Sequence, residues 1–212
     1  MKRFLFLVAF LFVILCSQAQ WTDYTRWDYK YRFFVSVEGG MTKFLNKYGI
    51  SMVEYGSSPL EAIKINGMLG VDNSENIWGM DFFVCMAEAK STTVAISEQL
   101  RFGGIGLAIG VKNFISEHFF WEPSLTGGLL LQSNNIKLSG VATETMNRWG
   151  LYCKFLLGFG VNIKRVSLGV KGEFIAGEFK TKQLSNSLRA YQTGNKGGIT
   201  AYGASLFLKV KF

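Results

Sequence analysis

Apolar and polar side chains alternate along most of this chain with a period of two. The pattern is clearest in residues 149–163, where every second position is apolar and the positions between them are mostly glycine or polar. This is the period of a β-strand, whose successive side chains point to opposite faces. It recurs in eight segments: 32–41, 61–71, 77–88, 99–111, 119–132, 149–163, 166–179 and 199–212. The sequence therefore predicts eight strands and no helix.

Two lengths of connection join the predicted strands. The long ones are 42–60, 89–98, 133–148 and 180–198, and the short ones, 72–76, 112–118 and 164–165, fall between them in strict alternation. Outer-membrane barrels combine short periplasmic turns with longer extracellular loops and an even number of strands. We therefore predict an all-β fold over residues 32–212, an eight-stranded antiparallel up-and-down transmembrane β-barrel.

A period of two does not decide which face of the strands meets lipid. The polar face carries mostly small residues and isolated charges, which suits the narrow interior of an eight-stranded barrel. Aromatic residues stand near the strand ends, as the two girdles of a membrane barrel require. They are Phe33, Trp78, Trp121 and Phe212 at the inner end, and Trp149 and Tyr202 at the outer end. These features favour an outward apolar face, and a secreted lipocalin-like barrel with that face inward is the alternative.

Charged residues of both signs lie on the predicted inner face. They are Glu38, Lys64, Asp81, Glu122, Lys154, Lys171, Glu173 and Lys209. Because buried charges must be paired, we expect these groups to form a structural network that fills the interior, with a narrow conduit as the alternative. Lys209 is expected to reach Glu38 or Glu173, whereas Lys211 lies near the periplasmic end and needs no partner.

The N-terminus has the features of a cleavable secretory signal over residues 1–19. Lys2 and Arg3 precede a short apolar run, and small residues stand before the cleavage point after Ala19. Residues 20–31 then form a periplasmic segment rich in aromatic side chains. This order predicts export to the outer membrane of a Gram-negative cell.

The cysteines point to no cross-link. Cys85 and Cys153 fall on opposite faces of separate predicted strands, so we expect no disulfide between them. Cys16 allows lipidation as an alternative to simple cleavage, but Leu15 stands where a lipobox needs a small residue.

Composition agrees with a membrane barrel and argues against nucleic acid. The chain is 49% hydrophobic and 15% aromatic, with 24 glycines and a formal net charge of +8. Its lysines and arginines are scattered, and no nucleic-acid motif is present. Anionic lipid or lipopolysaccharide is the better partner for this charge, and a role in solubility alone is the alternative. The connection 180–198 adds Lys180, Lys182, Arg189 and Lys196 without an acid.

Candidate catalytic chemistry is sparse. The single histidine, His118, lies in a predicted periplasmic turn beside Ser116 and Glu117, and sequence neighbours seldom form a triad. No cluster of metal ligands occurs. The glycine-rich stretch 103–110 lacks the strand–turn–helix setting of a dinucleotide loop. We expect no catalytic, metal or cofactor site.

Two positions interrupt the strand pattern. Arg101 breaks the apolar face of the fourth predicted strand, which either a bulge or a position at the membrane edge would explain. Pro123 cannot donate a ladder hydrogen bond, so it marks a bulge or the inner end of the fifth strand.

The SQAQ ending of the signal, the eight-strand pattern and the closing GASLFLKVKF resemble small outer-membrane β-barrel proteins of the Bacteroidetes type, the porin-like or PorT-like family. The closing residues also resemble the signal that the barrel assembly machinery recognises, which implies that role for Leu206, Leu208, Val210 and Phe212. We expect the last strand to pair with the first and remove both sheet edges.

We therefore expect a non-catalytic barrel with a structural or surface-recognition role through its long extracellular loops. Its partners would be outer-membrane lipid, lipopolysaccharide or a protein in the same membrane. An accessory subunit of a secretion or uptake complex, which the PorT-like resemblance implies, is the first alternative. A lipid-modifying barrel enzyme is the second.

Overall fold

The computed structural model describes residues 32–45, 60–73, 75–90, 96–138, 143–180 and 197–212. The predicted signal, the segment 20–31 and Cys16 lie outside these residues. The strands are β1 (Arg32–Phe44), β2 (Leu60–Asp72), β3 (Asn76–Lys90), β4 (Ile96–Val111), β5 (Asn113–Phe114), β6 (Phe119–Leu138), β7 (Glu144–Ile163), β8 (Val166–Phe179) and β9 (Gly197–Lys211). The described residues contain no helix long and apolar enough to cross a membrane.

The eight long strands close into one antiparallel barrel. Sequence neighbours pair with one another, β4 pairs with β6, and β9 pairs with β1. At the seam between β1 and β9, Val37 lies opposite Leu208, and the backbone N–H of Phe212 donates to the carbonyl oxygen of Phe33 at 2.9 Å. The predicted eight-stranded barrel, and the pairing of its last strand with its first, are confirmed.

The apolar face of the strands points outward. Ile63, Leu107 and Leu206 are 68%, 70% and 68% exposed, whereas Lys154 on the opposite face is 0% exposed. A barrel with its charged side chains inside and its isoleucine and leucine side chains outside is suited to an apolar surrounding. The predicted direction of the two faces is confirmed, and the lipocalin-like alternative is wrong.

Two predicted loops are largely strand. The connection 133–148 shrinks to 139–143, because β6 continues to Leu138 and β7 begins at Glu144; the connection 89–98 likewise shrinks to 91–95. In these extensions the polarity of the two faces changes. Ile136 and Met146 are buried inside, while Asn135 and Asn147 point outward. When only outward apolar residues are used to recognise strand, the predicted lengths of β6 and β7 are therefore too short.

The strict alternation of long and short connections is consequently wrong. The connections 91–95 and 139–143 are no longer than 112–118, which contains β5. Only 45–59 and 180–196 are long. They join β1 to β2 and β8 to β9. These four strands stand side by side in the barrel, in the order β2, β1, β9, β8.

Pro123 marks the point where β4 gives way to β5. The β4–β6 ladder ends with Gly110 opposite Ser124, and β5 resumes the same register with Asn113 opposite Trp121. The break lies opposite Pro123, which has no N–H to donate. The β6–β7 register runs through this region without a bulge.

Prediction on the last strand. Phe212 is 68% exposed on the outer surface, and its ring lies 6.2 Å from that of Phe33 between centroids. Deleting Phe212 is expected to slow assembly by the barrel assembly machinery several-fold, because the deletion removes the last residue of the assembly signal. The urea midpoint of the assembled barrel should change little, because the Phe212 side chain is mostly exposed. Heat-modifiable gel mobility over time measures assembly into liposomes.

The matched control for this deletion is Phe119→Ala, which removes another outward aromatic that is 58% exposed. It should assemble at the rate of the unaltered chain. Equal assembly rates for the deletion and the unaltered chain would contradict the role of Phe212 as a signal.

Candidate functional site

All eight charged residues that the sequence places on the inner face are buried inside the barrel. Their exposed fractions lie between 0% for Lys154 and 7% for Glu173. Each falls on an inward position of its strand, so the β-alternation itself directs the charge into the interior. The residues are Glu38 on β1, Lys64 on β2, Asp81 on β3, Glu122 on β6, Lys154 on β7, Lys171 and Glu173 on β8, and Lys209 on β9.

Lys154 and Asp81 form the first group of the network. The Lys154 ammonium donates to Asp81 Oδ2 at 2.5 Å and to Asn66 Oδ1 at 3.1 Å. The Asn66 amide in turn donates to Asp81 Oδ1 at 3.0 Å. Asp81 therefore has both carboxylate oxygens engaged, which is what a buried carboxylate requires.

The second group joins Lys64 to Glu173. The two side chains form a short ion pair across the interior, and Thr42 Oγ1 donates to the other Glu173 oxygen at 3.0 Å. Lys64 lies on β2, Thr42 on β1 and Glu173 on β8, and β9 separates β1 from β8 in the barrel. The pair thus ties distant parts of the barrel wall together.

The third group runs towards the periplasmic end. Lys171 contacts Glu38 at 2.5 Å and Glu122 at 3.4 Å, and Lys209 contacts Glu122 at 2.7 Å. Asp72 continues the chain, 4.0 Å from Lys209 and 3.1 Å from Lys211. Positive and negative groups alternate through this series, so each charge in it has a partner of opposite sign.

Two predictions about the ion pairs of Lys209 and Lys211 are wrong. Lys209 reaches Glu122 and not Glu38 or Glu173, because the register sets Lys209 opposite Ser36 and Ser167. The stagger between the strands places Glu38 opposite Phe207 and Glu173 opposite Gly203. Both carboxylates are therefore closer to the extracellular end than Lys209 is. Lys211, which was expected to need no partner, pairs with Asp72.

Aromatic rings accompany the interior lysines. The ammonium nitrogens of Lys154, Lys171 and Lys209 lie 5.1, 4.8 and 4.8 Å from the ring centroids of Phe83, Phe207 and Phe34, respectively. A cation attracts the face of a ring, most strongly where water is excluded. The rings therefore supply electrostatic stabilisation as well as volume.

The sequence analysis missed four buried charged residues. They are Asp72, Glu98, Lys112 and Arg148. Each lies directly beyond a predicted end of its strand, so continuing the alternation by one residue would have found it. The inner face, which the sequence predicts to carry mostly small residues and charges, also holds large rings such as Phe44 and Phe102.

A layer of apolar side chains lies above the charge network. Phe83 packs edge-on against Tyr152 at 5.2 Å, Phe44 packs edge-on against Phe102 at 5.0 Å, and Leu100 is fully buried beside them. The Tyr152 hydroxyl lies 3.5 Å from Asp81 Oδ2, where the apolar layer meets the charges. This layer borders the charge network on the side away from the chain's C-terminus.

A second polar group lies beyond the apolar layer. Arg148 Nη2 donates to Gln132 Oε1 at 2.6 Å, Gln132 Nε2 donates to Asn134 Oδ1 at 2.7 Å, and Asn134 Nδ2 donates to Glu98 Oε1 at 2.6 Å. The Arg148 guanidinium also lies 4.8 Å from the Phe179 ring. The interior therefore has a charged layer and an outer polar layer, with apolar side chains between them.

The remaining candidate residues lie in an exposed turn and on two separate strands. His118, Ser116 and Glu117 are exposed in a turn, and the Ser116 hydroxyl accepts the backbone N–H of Phe119 at 3.2 Å. Cys85 and Cys153 are free, with Cys85 buried inside. Among the described residues no group of three His, Cys, Asp or Glu side chains could hold a metal ion.

Solved structures of outer-membrane barrels are similar to this chain. Neisserial surface protein A is 14% identical with a TM-score of 0.51, and the match covers 85% of this chain and 97% of that one. The chain has the fold of a small outer-membrane barrel. The attachment invasion locus protein of Yersinia pestis is 10% identical, with a TM-score of 0.43 and coverage of 86% and 97%.

The outer membrane protease OmpT of Escherichia coli is 11% identical, with a TM-score of 0.44 and coverage of 90% and 99%. No family model matches the sequence. The search of curated proteins also gave no match. At these identities the similarity shows the fold alone, since barrels of one architecture carry different functions.

Prediction on the charge network. Replacing Lys171 with methionine leaves Glu38 without its ammonium partner in the interior, and loss of one member of a buried pair costs about 3–5 kcal/mol. Lys171→Met should therefore lower the free energy of unfolding by about that amount in urea titrations in detergent micelles. Adding Glu38→Gln should restore part of the loss, because Glu122 still has Lys209.

The matched control is Lys43→Met, which breaks the exposed pair of Lys43 with Glu61 at 2.9 Å. An exposed pair contributes at most about 1 kcal/mol. Equal losses for Lys43→Met and Lys171→Met would show that the interior pairs contribute no more than surface pairs.

Prediction on interior packing. A Cβ at Gly104 would lie 2.8 Å from Tyr152 Cε1 and closer still to the Phe83 ring, whereas a Cβ at Gly172 meets nothing within 4 Å. Gly104→Ala should therefore destabilise the barrel by roughly 1–3 kcal/mol through overpacking, and Gly172→Ala should not. Urea unfolding followed by tryptophan fluorescence measures both, and a similar effect of the two changes would contradict this packing.

Proposed function

We propose that this chain is a non-catalytic integral outer-membrane barrel that acts as a structural or surface-recognition protein through its extracellular side. The observation that carries the proposal is the filled interior. Paired charges occupy one part of it, and large apolar side chains occupy the next. A barrel filled in this way offers its outer surfaces, rather than a lumen, for interaction.

The layered interior also supports a role other than transport. An ion that crosses the barrel would have to pass the Phe83, Phe102 and Tyr152 layer after leaving the charged layer. Moving a charge through such an apolar layer without partners is costly. We therefore expect no steps of conductance in planar bilayers.

The position of the chain in the cell envelope is part of the proposal. The outward apolar band supports insertion into a membrane, and the SQAQ signal ending together with the GASLFLKVKF closing strand supports export to the outer membrane of a Gram-negative cell. The same segments support the porin-like, PorT-like assignment of the Bacteroidetes type and handling by the barrel assembly machinery.

The extracellular side supports recognition through two features. Long connections leave β1 and β8, and the described margin of the second carries Lys180. Lys180 lies with its ammonium 4.2 Å from the Trp149 ring, and its backbone N–H donates to the Trp149 carbonyl oxygen at 2.9 Å. Lys182, Arg189 and Lys196 follow outside the described residues. Lipopolysaccharide or an acidic protein surface fits this charge.

The experiment compares the intact chain with a variant in which residues 46–59 and 182–195 are each replaced by a short Asn-Gly turn. The barrel should remain heat-modifiable, because its strand ladders and interior are unchanged. Partners that co-purify in mild detergent with the intact chain should be lost from the variant. Retention of the same partners would overturn recognition through the loops.

Enzyme activity is tested on the intact chain. Incubation of the purified barrel with lipid A or phospholipid should give no hydrolysis product. Hydrolysis that disappears in His118→Ala would overturn the non-catalytic assignment and favour a lipid-modifying enzyme. A stoichiometric partner of a secretion or uptake complex in the pull-down would favour the accessory-subunit role instead.

A further inference from the structure

The outer surface of β4, β6 and β7 changes its chemistry within one row of residues. Gly103, Leu131 and Trp149 stand side by side across the three strands, at the upper limit of the apolar band. The next outward row is Arg101, Ser133 and Asn147. The register is continuous through Arg101, so its outward position is that of a membrane-edge residue and not of a bulge.

The outward polar residues continue to the top of these strands. Gln99, Asn135 and Thr145 form the second row, and Ser97 faces Lys137 in the third. Together we name these residues the polar wall: Ser97, Gln99, Arg101, Ser133, Asn135, Lys137, Thr145 and Asn147. Strand spacings give it a width of about 10 Å and a height of about 13 Å.

The polar wall has an uncommon combination of groups. Every side chain in it can form hydrogen bonds, two are cations, and none is an acid. The nearest outward carboxylate on β3, that of Glu88, pairs with Lys90 at 3.4 Å. Thr145 Oγ1 donates to Asn135 Oδ1 at 3.0 Å, which holds these two side chains on the surface.

Outward acids stand near this level on two other strands, β2 and β8. On β1 and β2 the cation Lys43 is paired with Glu61 at 2.9 Å, and on β8 the outward residue is Glu178. An anionic group in the surrounding leaflet is therefore attracted more strongly to the polar wall than to the surfaces that carry these acids. Lys180, above the Trp149 ring, adds a further cation at the margin of the wall.

We propose that the polar wall binds the phosphorylated sugar headgroup of a glycolipid in the outer leaflet around the barrel. Arg101 and Lys137 engage phosphate through charge-assisted hydrogen bonds, and the arginine fork suits two phosphate oxygens. The amides and hydroxyls between them hydrogen-bond sugar hydroxyls. The acyl chains lie on the apolar band below, against Leu131 and Trp149.

The wall is made of strands, so this site is separate from the loops that carry the proposed function. It requires only that the barrel stands in an outer membrane. Its area fits a phosphorylated disaccharide better than a single phosphate, which needs only one or two of the eight side chains. Selectivity for the sugar as well as the phosphate follows from the neutral amides.

The test uses the full chain in phosphatidylcholine nanodiscs, titrated with bisphosphorylated lipid A and, separately, with phosphatidylglycerol. The bound lipid is counted by native mass spectrometry. Arg101→Gln with Lys137→Gln should weaken lipid A binding about tenfold, since two charge-assisted contacts are lost. Gln99→Ala with Asn147→Ala should weaken lipid A binding and leave phosphatidylglycerol binding unchanged.

The matched control is Lys164→Asn with Arg165→Gln, which removes one lysine and one arginine from the turn at the opposite end of the barrel. Lys164 has a φ of 57°, a conformation that asparagine accepts readily. This control should bind lipid A as the unaltered chain does. Heat-modifiable gel mobility verifies that each variant is folded.

Three results would overturn the proposal. They are absence of saturable lipid A binding to the unaltered chain, an equal loss in the Lys164→Asn control, and equal affinity for phosphatidylglycerol and lipid A. The loop-shortened variant separates this site from the loop function. It should keep its lipid A affinity even where its protein partners are lost, and loss of both would place the lipid on the loops.

Discussion

Closure of the strand ladder is the constraint on which the rest of this structure depends. In an apolar surrounding every backbone N–H and C=O must find its partner within the protein, and an open sheet edge cannot be tolerated. The pairing of β9 with β1 removes the last edge. Once eight strands close, half of all side chains point into a narrow interior, and the sequence must fill that space.

The interior is filled by residues that compensate one another. Each lysine of the network has a carboxylate partner, and three of them also lie over a phenylalanine ring. Glycines on the inner face make room for the rings. A Cβ at Gly160, for example, would lie 2.8 Å from Phe120 Cζ. Charge pairing and ring packing are therefore one arrangement, since a change in either displaces the other.

Much of the fold follows from the period of two, because each strand has to present one face to lipid. The alternation located eight strands and the eight charges on their polar face. The small residues of that face and the aromatic residues at the strand ends then indicated which face points outward. The alternation failed where the outward side chains leave the apolar band, as at Asn135 and Asn147, because the same strand then needs polar residues outside. Partner choice within the network depended on strand stagger, which separates Lys209 from Glu38 and is not encoded in any single strand.

The unequal heights of the strands divide the extracellular rim into two sides. On one side β4, β6 and β7 rise beyond the band as a continuous sheet. On the other, β7 first pairs with β8 at Gly150, and the two long connections start from β1 and β8, the strands on either side of β9. The two sides of the barrel therefore differ in strand height, so the molecule is asymmetric within the membrane plane. A neighbour that approaches the sheet meets strand backbone beyond the apolar band, and one that approaches from the β8 side meets a strand that ends close to the band.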